Sequence, residues 1–114
     1  MTRRGEIYWL QSLAGSGSEQ GGRRPVLIIQ NDVGNRTSPT TIVAAITSQP
    51  RQPPYPFHVS FTAVESGLGL DGTVLCEQIH TVDQRRLGSL AGALSPERIR
   101  EVDVALHRSL GLVE

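Results

Sequence analysis

The apolar residues of this chain come in short runs, and that shortness limits what it can fold into. The strongest are Arg24–Gln30 (RPVLIIQ) and Thr40–Ser48 (TTIVAAITS), each closed by turn-forming or proline-rich sequence. Runs of this length suit strands buried on both faces and fall far short of the roughly 20 apolar residues that cross a bilayer. No membrane insertion is expected. Pro25 pushes Arg24 toward an extended backbone. Ser38-Pro39 introduces the second run, and QPRQPPYP ends it with residues that cannot extend a ladder.

Weaker signals complete the pattern. Gly5–Gln11 (GEIYWLQ) is rich in aromatic and β-branched residues and predicts a first strand, followed by a Gly/Ser-rich loop over Ser12–Gly22. NDVGN reads as a turn. Phe57–Thr62 (FHVSFT) alternates apolar and polar residues, and Thr73–Val82 does so less strictly after the Leu70-Asp71-Gly72 turn, so both predict antiparallel strands. The glycines of Leu87–Leu94 favour a short bent strand over a helix. Ser95-Pro96-Glu97 combines an N-cap serine, proline at the first helical position and an acid in the first turn. The helix it starts carries Ile99, Val102, Leu106 and Leu110 on one face, and Gly111 can end it. Five or six strands and one terminal helix predict a mainly β fold, a compact antiparallel barrel with the helix on one opening. At 114 residues it is expected to be a single domain, 1–114, completed by a partner subunit.

Eleven basic and eleven acidic residues cancel, so the whole chain has no long-range pull on polyanions and nucleic-acid binding must come from local clusters. Every basic residue is Arg, which suits bidentate phosphate contacts but equally reflects a GC-rich genome. Cys76 stands alone, and MTRRGEIYW lacks an apolar signal core, so a cytoplasmic location is expected. His58, His80 and His107 lie on separate predicted elements with no ligand-like spacing, which points to no metal and no cofactor. GxSxG is absent, and GSGSEQGG lacks the lysine of a phosphate loop. Glu19 and Gln20 just precede Arg23 and Arg24 at a loop-to-strand corner, a placement that fits either a surface ion pair or a site. Thr47 near a strand end can equally serve β-propensity. Residue types alone do not identify an enzyme.

Taken in order, several segments resemble the signature of the MazF/PemK family of toxin endoribonucleases. They are GEIYW from Gly5, GSEQGG from Gly17, Arg24-Pro25-Val26-Leu27, Gln30-Asn31-Asp32, Thr47-Ser48, Glu77-Gln78-Ile79, Thr81-Val82-Asp83 and Arg86-Leu87. The resemblance spans essentially the whole chain and implies an SH3-like barrel of the CcdB/PemK type, working as a homodimer. It implies metal-independent, sequence-specific cleavage of single-stranded RNA, through 2′-OH attack that leaves a 2′,3′-cyclic phosphate and a 5′-OH. By matching position, Arg24 and Thr47 are the implied catalytic pair, with Glu19 as a third participant. Ser18, Gln20, Arg23, Gln78, Arg85 and Arg86 are the candidate RNA contacts, and Tyr55 and Phe57 are possible stacking residues. Arg23 stands where some relatives have histidine, which removes a titratable group. The implied protein partner is a MazE-like antitoxin whose disordered tail fills the RNA groove. Two other readings share the fold: a CcdB-like gyrase poison, which the ending LGLVE does not support, and a catalytically silent nucleic-acid-binding barrel.

Overall fold

The computed structural model describes residues 1–11, 22–49 and 55–112. Six strands, β1 (Glu6–Gln11), β2 (Arg23–Ile28), β3 (Thr40–Thr47), β4 (His58–Phe61), β5 (Gly72–Asp83) and β6 (Leu87–Ala93), form one antiparallel sheet in the order β4-β5-β3-β2-β1-β6. Three helices accompany them: α1 (Asp32–Thr37), α2 (Ala63–Ser66) and the long terminal α3 (Pro96–Ser109). The strands and terminal helix thus follow the sequence reading.

That sheet cannot be flat. β5 and β6 lie four places apart, a distance of about 19 Å at the usual strand spacing. Yet they are joined only by the 3₁₀ turn Gln84–Arg86, and the step from Asp83 to Leu87 spans at most roughly 14 Å. The strands must therefore curl toward one another, which gives the barrel form. Val82 and Leu87, on either side of that corner, join Leu10, Val26, Ile28, Val43 and Tyr8 in one apolar cluster.

On the opposite face Ile7, Leu27, Ala44, Ile46, Val59, Phe61 and Val74 form a larger cluster, which α3 covers with Val102 and Ala105. Neighbours Val26 and Leu27 are both fully buried on opposite faces, which is why β2 reads as an unbroken apolar run. The α2 corner meets β6 at Gly92, where any side chain would collide with the Ser66 carbonyl, so glycine is required there.

Three local features differ from expectation. NDVGN is the start of α1 and not a simple turn: the Asn31 side chain accepts from Gly34 N at 2.7 Å, capping the helix. α2 was not foreseen, although Thr62 and Glu65 form a reciprocal capping box, a signal legible in the sequence as Thr-x-x-Glu. Leu110 does not continue the apolar face of α3. It is the C-cap, 60% exposed, because the helix stops at Ser109 and the chain turns left-handed at Gly111.

Candidate active site

β2 and β3 pair Val26 with Ala45, Leu27 with Ala44 and Ile28 with Val43. The ladder ends there, and Arg24 and Thr47 each lie two residues beyond its last pair, in alternation with Val26 and Ala45 respectively. Arg24 is exposed, and among the described residues no carboxylate pairs with it. Thr47 ends β3, half-buried, and its Oγ1 accepts a hydrogen bond from Gln49 N at 3.0 Å. An oxygen that accepts in this way still has its own proton to donate outward.

Two further guanidinium groups stand at this end of the sheet. Arg23 lies over the Trp9 ring, 5.0 Å from its centre, a cation–π contact that fixes its stem. Arg86 donates from Nη2 to the Gln11 carbonyl at 3.2 Å, and Gln11 is the β1 partner of Arg23. Arg23, Arg24 and Arg86 therefore bracket the place where β1 ends and β2 begins.

The other candidates fall elsewhere. Arg85 grips Asp83 through Nε and Nη2 at 3.1 and 3.0 Å, which holds the Asp83 carboxyl below its ordinary range and neutralises the cation. Gln78 is exposed on an irregularity of β5, whose register against β3 jumps between Ala44 and Ala45 from Ile79 to Leu75. Beside it, both Glu77 carboxylate oxygens lie 3.1 Å from His58 Nε2. Tyr55 stacks on Phe57 with ring centres 5.3 Å apart, and both meet the His58 ring edge-on. Ser18, Glu19 and Gln20 lie outside the described residues.

Among the described residues no three His, Cys, Asp or Glu side chains gather as a metal site. Cys76 is fully buried and its thiol is pushed up to about 12 by that burial, so it makes a poor nucleophile. The sequence reading missed the continuation of the Thr47 rung. Thr47 pairs with Thr73, Thr73 pairs with Ser60, and the two latter hydroxyls lie 3.2 Å apart. The alternation of FHVSFT, which puts Ser60 off the core face, was the available signal. A fixed cation opposite a hydroxyl donor can hold a phosphoryl group from two sides and stabilise charge developing on its oxygens.

The chain is similar to proteins of one family. Residues 3–110 match the family described as PemK-like, MazF-like toxin of type II toxin-antitoxin system. The chain is 46% identical over 114 residues to Endoribonuclease EndoA of Bacillus subtilis (strain 168), covering 100% of this chain and 98% of that protein. Among solved structures, MazF from Deinococcus radiodurans superposes with a TM-score of 0.75 at 30% identity, covering 96% of each chain. A mycobacterial endoribonuclease in complex with its cognate antitoxin gives 0.83 at 25% identity, covering 100% of this chain and 99% of that one.

Proposed function

Because the chain belongs to the PemK-like, MazF-like toxins of type II toxin-antitoxin systems, we propose that it is an endoribonuclease that cuts single-stranded RNA at a short sequence without a metal. The observation that supports this reading is that Arg24 and Thr47 each lie two residues beyond the last β2–β3 pair, Val26 with Ala45, at the same end of the sheet.

In the proposed reaction the ribose 2′-oxygen attacks the adjacent phosphorus, forming the O2′–P bond as the P–O5′ bond breaks. The products are a 2′,3′-cyclic phosphate and a 5′-OH. An internal nucleophile needs no activated water, so the protein's task is to align it, stabilise phosphoryl charge and move two protons. Arg24 offers a permanent positive fork to the phosphate, and the Thr47 hydroxyl donates to a nonbridging oxygen. The 2′-OH proton goes to a base, for which the Glu19 carboxylate is chemically better suited than a guanidinium with a pKa above about 12. A proton must reach O5′ as it leaves.

RNA is held by Ser18 and Gln20 of the first loop, by Arg23 and Arg86 at the β1–β2 end, and by Gln78 on β5. Arg85, already occupied by Asp83, contributes least. Base stacking and edge contacts dominate over phosphate contacts, in keeping with the neutral net charge. We further propose that the working unit is a homodimer of single-domain subunits in the cytoplasm, restrained by an antitoxin tail in the RNA groove. The mycobacterial relative, solved with its cognate antitoxin, supports that partner. No described helix is long and apolar enough to cross a membrane.

The test is to incubate the purified protein with a long single-stranded RNA in EDTA and map cut positions and end groups. Discrete cuts with 5′-OH ends are expected. An intact RNA after incubation with folded protein, or cleavage that EDTA abolishes, overturns the proposal.

A further inference from the structure

Beyond Thr47 the sheet carries a second concavity, with a volume of about 410 Å³, in the size range of small-ligand sites. Its wall is the continuation of the catalytic rung: Thr73 beside Thr47, then Ser60 beside Thr73. Ser60 thus lies two strand spacings, roughly 10 Å, from Thr47. Ser48, which follows Thr47 directly, lines the same cleft, so it opens beside the proposed cutting point.

Its charges decide what it can hold. Arg98 is the cation on its wall, but that guanidinium is consumed: Nε and Nη2 bind Glu65 at 2.9 and 3.2 Å, and Nη1 binds Glu101 at 3.0 Å. Asp71 brings an unneutralised carboxylate, whose Oδ1 accepts from Ala63 N at 2.8 Å while its other oxygen keeps its acceptor capacity. Among the described residues, a phosphate would meet a negative charge and no available cation. A neutral, flat group that donates hydrogen bonds would meet a carboxylate and a row of hydroxyls.

Building on the RNA-cleaving reading, we infer that this cleft is a base-selecting subsite for a nucleotide flanking the cut, in which Asp71 accepts from the exocyclic amine of adenine, cytosine or guanine. A carboxylate is the side chain suited to such an amine, and it discriminates against uracil, which offers a carbonyl there. The hydroxyls of Ser60 and Thr73 complete the base or ribose contacts. Asp71 does not touch the reacting phosphate, so it sets specificity and takes no part in the chemistry.

The test uses oligonucleotides that carry the mapped cleavage sequence, with 2′-O-methyl at the cut site to block reaction. At each amino-bearing position the amine is exchanged for a carbonyl, adenine for hypoxanthine or cytosine for uracil, or removed, guanine for hypoxanthine. Binding is measured for the wild type and for Asp71→Asn, whose amide oxygen can still accept from Ala63 N. At one position the exchange should weaken wild-type binding about tenfold, the worth of one hydrogen bond to a charged group, and leave Asp71→Asn nearly indifferent. Ser60→Ala should weaken binding of both oligonucleotides about equally. Equal penalties in wild type and Asp71→Asn at every position overturn the subsite, as does a cleavage sequence with no amino-bearing base. Failure of the wild type to bind or cut any RNA would instead refute the RNA-cleaving reading itself.

Discussion

The arginines at the two ends of this molecule do opposite things. Beside α3, Arg98 is spent on Glu65 and Glu101 and Arg4 on Asp103 at 2.8 Å, while Arg108 donates to the Pro56 carbonyl. At the β1–β2 end, Arg23 rests on an indole and Arg24 has no acidic partner among the described residues. The chain is neutral overall, so its affinity for a polyanion depends on where the carboxylates are absent. Arg98 and Arg4 serve cohesion, and Arg24 is the candidate for a ligand.

Substitution should separate those roles. Arg24→Ala is expected to lower the cleavage rate roughly a hundredfold to a thousandfold, as loss of a preorganised charge stabiliser does. Its melting temperature should stay near wild type, since the side chain is exposed. Thr47→Val should approach the same loss, and Thr47→Ser should recover much of it; full activity in both Arg24→Ala and Thr47→Val would dissolve the contrast. At the cohesive end, Val102→Ala should cost about 2 kcal/mol in denaturant unfolding, because Val102 is fully buried under the sheet, with turnover per folded molecule unchanged.

Ser95→Ala should cost about 1 kcal/mol by removing the cap that accepts from Arg98 N at 3.2 Å. An acid titration gives the subtlest signal. Hydrogen bonds from Arg98 lower Glu65 from 4.5 to about 2. A depressed carboxyl pKa stabilises the fold fully above the ordinary value, and that contribution is lost as pH falls through about 2. Arg98→Ala should therefore lose stability less steeply than wild type between pH 4.5 and 2, measured by thermal melts; identical slopes would mean the pair contributes nothing.

Much of the fold was legible because β2 and β3 are buried on both faces and leave unbroken apolar runs. That Arg24 and Thr47 lie at the same end of the β2–β3 ladder was not, since register depends on the path between strands, here α1 and its caps. Family resemblance nominated the two residues, and the β2–β3 ladder ends two residues short of each. The imperfect alternation of Thr73–Val82 was the trace of the register jump that exposes Glu77 and Gln78. Arg85 and Arg98 show the reverse limit. Asp83 beside Arg85 was visible as a possible pair, but the Glu65 partner of Arg98 lies far away in sequence.

The pairing of β1 with β6, which puts Glu6 beside Ala93, also has a consequence in time. During synthesis β1 waits for its outer neighbour until nearly the whole chain has been made. At about 5–20 residues per second, that is a delay of seconds in which the sheet lacks an edge and α3 does not yet exist. The cation-bearing end of β2 pairs with β1, and β2 with β3, both translated before that edge closes.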